Sequence, residues 1–311
     1  MRIDFNIVNI DKVETLHPRP EYIFVADFEW DVTSARIACK RLPNFKVISI
    51  KIGVDLTYKN PYEIFMTHLK ELQEVYESLI DEESKRTFCG YWLGNISHQF
   101  GELVHANTPH YILNGFMPEV DSIVIAAGAA DGGTATVFSK MGYKVYTFEM
   151  QENLFQETKK IAEEKGFVVE HMGIGAFDGE LGYNGQNFDL NGSNISKIIT
   201  VDTYVREKNL PRVDFIQLDV EGAELDVLRG AAGTIARFKP ILALSAYHKW
   251  DDFWTLINFV KSIRPDYEFA MRQYPETVDD MPSMVKNVDL QYSLGLEPDW
   301  RDFYECVLFA R

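Results

Sequence analysis

SIVIAAGAADGG, residues 122–133, is the stretch on which the fold turns. Its first seven residues form an apolar run too short for a buried helix and bounded by glycine, the pattern of a strand covered on both faces. The turn that follows is rich in glycine, and a helical segment then runs to Met141-Gly142. Strand, glycine turn and helix in that order open a βα unit. Gly128, Gly132 and Gly133 fall at the strand's carboxyl end, where a backbone that must lie close to a bound nucleotide has no room for a Cβ.

Downstream the alternation continues. KVYTFEM (144–150) reads as a strand, and a helix from Glu152 places Leu154, Phe155, Ile161 and Ala162 on one face before stopping at Gly166. FVVEHM (167–172) is the next strand, followed by a loop rich in Gly, Asp and Asn up to Ser196. VDFIQLD (213–219), ILALSAY (241–247), YEFAMRQ (267–273) and YECVLFA (304–310) are further strands, with helices between the first three. Seven strands alternating with helices predict an α/β fold around a mostly parallel sheet.

Upstream, EYIFVADF (21–28), DVTSARIACKRL (31–42) and FKVISIKI (45–52) read strand, helix, strand. A helical tract from Pro61 to Glu83, capped by Asn60, carries Ile64, Phe65, Leu69, Leu72, Val75, Tyr76 and Leu79 at near-helical spacing. A less regular helical stretch continues through Trp92 and Ile96. Turn residues at Asn114-Gly115 and Pro118 precede the change of pattern. The expected division is an accessory α/β and helical domain over residues 1–112 and a main domain over 113–311. The turn after the first strand, Glu29-Trp30-Asp31, has no glycine to cradle a phosphate, so the accessory domain is not expected to hold a second nucleotide.

Composition narrows the function. The 311 residues are 46% hydrophobic and 25% charged, an ordinary globular balance. With 31 basic against 47 acidic residues the formal charge is −16, a field that repels nucleic acid and anionic membranes. Cys39, Cys89 and Cys306 are scattered and odd in number, which fits reduced thiols rather than a disulfide framework or a metal knuckle. The charged N-terminal stretch MRIDFNIVNIDKVE does not read as a signal peptide, and no apolar run approaches a membrane span. A cytoplasmic protein is expected.

Two more features join the glycine turn. Glu149 ends the second strand of the main domain, 21 residues after Gly128, where a carboxylate can accept hydrogen bonds from both hydroxyls of a ribose. The strand VDFIQLD ends in Asp219 and runs on as Val220-Glu221-Gly222-Ala223-Glu224, gathering carboxylates at the sheet's carboxyl edge. Taken singly, each also fits a tight turn, a solvated strand end or a helix cap. Together they point to a nucleotide-type cofactor, and spacing alone leaves NAD or another nucleotide open.

The segment VDFIQLDVEGAELDVLRGAAGTIARFKPILALSAYHKWDDFWTL (213–256) resembles the core of the FkbM family of S-adenosylmethionine-dependent methyltransferases. The resemblance rests on Asp219–Glu224, on Leu228-Arg229-Gly230-Ala231 and on Pro240. AAGAADGGT (126–134), TFE (147–149), ITVDTYV (199–205) and YECVLFA match in the same order, so it covers residues 111–311. It implies a Rossmann-like, seven-stranded class I methyltransferase sheet with its last strand antiparallel. It also implies a cofactor site of Gly128, Ala129, Asp131, Gly132, Thr134, Glu149, Met150 and Asp219 for S-adenosylmethionine, with S-adenosylhomocysteine as product. Two positions depart from the family pattern: Ala126 stands where members usually carry an acid, and Gln217 where they usually carry lysine.

Methyl transfer from a sulfonium needs alignment and, for a hydroxyl acceptor, a base. His248 ends the strand beside that of Asp219, so both can face one cleft, and the catalytic group is expected to be His248, Asp219 and Glu221. Asp, Glu and His also suit magnesium or manganese, but no spacing here names a metal ligand. Lys249, Trp250, Arg272 and Tyr274 are candidates for an acceptor pocket, whereas Tyr91, Trp92 and Tyr111 read as core. The resemblance implies O-methylation of a sugar, nucleotide-sugar, glycan or related small molecule. The alternative is a degenerate S-adenosylmethionine-binding module that serves as partner or regulator. Self-association is compatible with either.

Overall fold

The computed structural model describes residues 22–28, 46–52, 61–97, 104, 106–184, 187–188, 194–274 and 305–311. The helix expected over residues 31–42, the turn at 29–31, the cap Asn60 and Cys39 lie outside them. Strands β1 (Tyr22–Phe28) and β2 (Lys46–Ile52) pair in parallel.

Three helices follow: α1 (Pro61–Thr67), α2 (Leu69–Ser78) and α3 (Glu82–Ser97). The single tract expected from Pro61 to Glu83 is therefore broken at His68 and again at Leu79. Leu79 is extended and forms a bridge with Phe269, and the Ile80 N–H donates to the Phe269 carbonyl at 2.8 Å. A sheet partner thus replaces the helical one. Asp81 then accepts the Ser84 N–H at 2.7 Å and restarts the helix.

The main sheet is assembled from β3 (Ile123–Ala127), β4 (Lys144–Glu149), β5 (Val168–His171), β10 (Phe215–Leu218), β11 (Ile241–Ser245), β12 (Phe269–Tyr274) and β13 (Glu305–Ala310). Its order is β12-β13-β11-β10-β3-β4-β5, with β13 antiparallel to both neighbours and the other pairings parallel. All seven strands expected for this sheet are in it. Its helices are α4 (Gly133–Lys140), α5 (Glu152–Lys165), α6 (Val201–Glu207), α7 (Glu224–Gly230), α8 (Ala232–Phe238) and α9 (Asp252–Ile263).

The segment expected to be a loop up to Ser196 is not one. It carries β6 (Gly173–Ile174), β7 (Gly179–Asn184), β8 (Asn187–Phe188) and β9 (Asn194–Ile199), a second sheet of order β6-β9-β7-β8. Ile198 and Ile199 of β9 and Ile174 of β6 are buried in the core beside it. The β7 ladder rests on backbone pairing with β9.

Alternation along β3 divides the core. Ile123, Ile125 and Ala127 join one buried cluster, which also takes Leu72, Val75, Tyr91 and Trp92 from α2 and α3. Val124 and Ala126 join the other, with Phe138 of α4 and Phe309 of β13. From β3 the chain proceeds outward through β4 and β5, then returns to the opposite side as β10. This reversal leaves a crevice at the carboxyl ends of β3 and β10, where ligands of open α/β sheets bind. No helix among the described residues is long and apolar enough to cross a membrane.

Candidate functional site

A cleft of about 670 Å³, part of it open to solvent, occupies that crevice. Gly128, Glu149, Met150 and Asp219 line it, as the sequence leads one to expect. Ala129, Asp131, Gly132 and Thr134 are not among the lining residues; they shape the turn and the first residues of α4. Asp131 accepts the Gly133 N–H at 2.9 Å and so caps that start. Met172, Gly173 and Ile174 also line the cleft. Sequence reasoning missed them, because Gly173 and Ile174 fall in the supposed loop.

Gly128 has φ +91°, and a Cβ there would overlap the carbonyl oxygen of Asp219. Glycine is thus demanded by the contact between two strand ends, and not only by a nucleotide as expected. Glu149 is 7% exposed and accepts the Gln151 N–H at 2.8 Å. Burial raises its pKa, while the N–H groups of Gln151, Ala130 and Met150 oppose that shift.

Asp219, Glu221 and His248 do converge. His248 Nε2 lies 3.5 Å from Asp219 Oδ1 and 3.6 Å from Glu221 Oε2, and Nδ1 lies 3.0 Å from Glu224 Oε1. Glu224, the first residue of α7, is fully buried and accepts the Val220 N–H at 2.9 Å. Glu221 adopts φ +51°, a conformation that costs a non-glycine residue about 1 kcal/mol or more. Burial alone would lower the His248 pKa, but Glu224, Asp219 and Glu221 outweigh it and push it up to about 9. The ring is accordingly an imidazolium at neutral pH, which corrects the expectation that its pKa suits a base near neutrality.

Tyr111, read as core from sequence, is buried but also reaches this group. Its hydroxyl donates to Asp219 Oδ2 at 2.8 Å and lies 2.9 Å from Ser245 Oγ. Tyr247 donates to Asp219 Oδ1 at 3.4 Å. Burial and the Asp219 charge raise both phenol pKa values, so both remain donors.

The candidate acceptor-pocket residues are largely otherwise engaged. Arg272 is buried and pairs with Asp81 at 3.3 Å and Glu83 at 3.4 Å, neither a phosphate site nor a surface charge. Tyr274 is buried and donates to the Ile112 carbonyl at 3.2 Å. Trp250 packs on Tyr91 and Trp92, which are core as expected. Lys249 Nζ donates to the Gly222 carbonyl at the edge of the cleft.

The family profile described as the methyltransferase FkbM domain matches residues 127–284, just over half of the 311-residue chain. The chain belongs to the FkbM methyltransferase family. The crystal structure of an FkbM methyltransferase from Methylobacillus flagellatus superimposes with a TM-score of 0.67 at 17% identity, covering 96% of this chain and 76% of that one. That likeness shows a shared fold. An rRNA methylase from Streptococcus thermophilus is more distant, with a TM-score of 0.36 and 14% identity over 62% of this chain and 87% of that one. An S-adenosylmethionine-dependent methyltransferase from Geobacter sulfurreducens, solved with S-adenosylhomocysteine, has a TM-score of 0.34 and 15% identity over 62% and 85% of the two chains. No curated protein matches the sequence.

The two departures from the FkbM pattern are neighbours. Gln217 of β10 and Ala126 of β3 are register partners, and both are buried. An acid and a lysine on these strands would face each other, so replacing both leaves no lone buried charge.

Proposed function

We propose that this FkbM methyltransferase transfers a methyl group from S-adenosylmethionine to a hydroxyl of a sugar, nucleotide-sugar, glycan or related small molecule. The observation that carries the reading is the cleft with a buried carboxylate, Glu149, on one side and the Asp219–Glu221–His248 group on the other. The fit to the cofactor is chemical. Glu149 offers a carboxylate to the ribose hydroxyls, Gly128 and Met150 line the same cleft, and the carboxylates of Asp219 and Glu221 favour a cation such as a sulfonium. When bound, S-adenosylmethionine supplies the methyl group: the S–CH₃ bond breaks, an O–CH₃ bond forms and the hydroxyl proton is released.

The chain's own residues align the acceptor and take that proton. Alignment is worth up to about 7–11 kcal/mol and a placed base about 10²–10⁴-fold. With His248 held as imidazolium, the carboxylates of Asp219 and Glu221 are the acceptors for the proton at neutral pH. His248 orients them and becomes a base only as pH rises through about 9. Residues 1–112 form an accessory segment, and the charge of −16 favours a small or glycan acceptor over a nucleic acid.

Calorimetric titration with S-adenosylmethionine, S-adenosylhomocysteine and NAD tests the cofactor. Binding of the first two, weakened about 10- to 100-fold by Glu149→Ala, is expected from the loss of hydrogen bonds to a charged group. NAD binding in their place overturns the reading. Formation of S-adenosylhomocysteine with nucleotide-sugars then tests the acceptor class. Cofactor binding without turnover on any acceptor favours the non-catalytic module, for which Ala126 and Gln217 speak.

A further inference from the structure

The cofactor cleft uses the ends of β3, β4 and β10, and the carboxyl edge continues past β10 through β11, β13 and β12. Because β13 runs antiparallel, its first residue, Glu305, stands on that same edge, opposite Tyr274, the last residue of β12. The Ala246 N–H donates to the Cys306 carbonyl at 2.8 Å, so the chain leaves β11 as Tyr247-His248 beside Glu305. A further piece of chain reaches this end. The Ala106 N–H donates to the Gln273 carbonyl of β12 at 2.9 Å, and His110 and Tyr111 follow.

His110 Nε2 lies 2.8 Å from Glu305 Oε2, yet neither atom makes an aligned hydrogen bond. The His110 ring is stacked on Tyr111 and tilted against Tyr274, with centroids 3.9 and 5.0 Å away. Only 12% and 16% of the two side chains are exposed. A pair so far from water returns little net stability for its desolvation, which leaves its place here to be explained by what it binds. Tyr111 joins the pair to the Asp219–Glu221–His248 group, since its ring covers His110 and its hydroxyl donates to Asp219 at 2.8 Å. Burial raises the pKa values of Tyr111, Tyr247 and Glu221, and the Glu305 charge adds to all three shifts, as it must if it stands beside them.

We propose that His110 and Glu305 bind the acceptor, holding a vicinal diol of an uncharged sugar while Asp219 and Glu221 face the hydroxyl that is methylated. This rests on the reading of methyl transfer to a sugar hydroxyl and adds where that sugar lies and which charge it tolerates. Two adjacent hydroxyls can donate to the two oxygens of one carboxylate, the arrangement expected of Glu149 with a ribose. His110 adds an imidazole nitrogen that either donates or accepts. Glu305, Glu221 and Asp219 set three carboxylates along this edge, so an acid on the sugar ring itself is repelled.

The test follows the full chain by NMR with S-adenosylhomocysteine present and the histidines labelled with ¹³C at ring atom Cε1. His110 is one of seven histidines, and loss of its signal in His110→Gln assigns it. Methyl glucoside, methyl galactoside and methyl mannoside are the probes, and at least one is expected to shift that signal at millimolar concentration. Glu305→Gln keeps the size of the side chain and weakens the response about tenfold, as loss of a charged acceptor does, while Glu305→Asp restores part of it. The uronic acid of whichever sugar binds is also weaker by about tenfold. Saturation transfer from protein to sugar reads His110→Gln itself and is expected to fall in the same way. Parallel calorimetry with S-adenosylhomocysteine keeps the two readings apart. Sugar binding without S-adenosylhomocysteine binding removes the cofactor reading and keeps the diol site. S-adenosylhomocysteine binding with no His110 response to any of the sugars overturns the diol site, as does a response that Glu305→Gln leaves unchanged.

Discussion

Tyr111 shows how one side chain can join a core to a site. Its backbone sits at φ +59°, a rare conformation for a bulky residue, and its ring is buried against His110 with centroids 3.9 Å apart. The hydroxyl then meets both Asp219 and Ser245. A hydrogen bond to a charged group is worth about 1.5–3 kcal/mol and a neutral one about 1. Tyr111→Phe is therefore expected to cost about 2 kcal/mol in urea unfolding at pH 7, and Ser245→Ala about half of that. Equal losses for the two would place the value of the contact in packing and not in the Asp219 charge. In the sequence Tyr111 is one aromatic in a stretch without period, and nothing local tells that its hydroxyl reaches a strand end 108 residues away. Asp219 and His248 were legible because strand ends in a βα pattern fall on one edge of the sheet. Glu224 was not, since an acid in the first turn of a helix reads as a solvated dipole partner, whereas this one is fully buried.

At the scale of elements, the seven main strands declare themselves by apolar runs with glycine and proline punctuation. The small sheet of β6–β9 does not, because β7 is held by backbone pairing and its composition is that of a turn. The helices behind β10 depend on a tie equally hidden in sequence. Asp202 of α6 accepts N–H bonds from Gly233 at 2.8 Å and Thr234 at 2.7 Å, and the Thr234 hydroxyl at 2.6 Å, thereby capping α8 from a neighbouring helix. A Cβ at position 233 would stand 2.8 Å from Asp202 Oδ2, so glycine lets the carboxylate approach. Asp202→Ala strands two N–H donors and is expected to cost about 1–2 kcal/mol in thermal or chemical unfolding. S-adenosylhomocysteine affinity stays at its original value, as this cap lies outside the cleft lining. A large loss of affinity would mean that α8 positions the strand ends after all.

Across the whole molecule, an acidic protein has placed one more carboxylate where water does not reach. Asp252, at the start of α9, is 2% exposed and accepts the Lys249 N–H at 2.7 Å. Burial, aided by the charge of Glu224, lifts its pKa to about 7. The folded chain then holds a proton on Asp252 at pH values where the unfolded chain, with a carboxyl near 3.8, has released it. A raised acid pKa favours folding below the unfolded value, and that advantage is lost as pH climbs from about 4 to about 7. Other carboxylates are also held up by burial, Glu149 and Glu221 among them, and contribute to the same pH dependence. The diagnostic quantity is thus the difference between the native protein and Asp252→Asn, which keeps an acceptor for Lys249 and cannot ionise. The two should unfold alike at pH 4. By pH 8 the variant should be the more stable, by on the order of 2–4 kcal/mol. Urea unfolding at half-unit steps of pH, with chelator present, measures that gap. A gap that is constant with pH would mean that Asp252 is charged throughout and that the Lys249 N–H, with the neighbouring cations, compensates its burial.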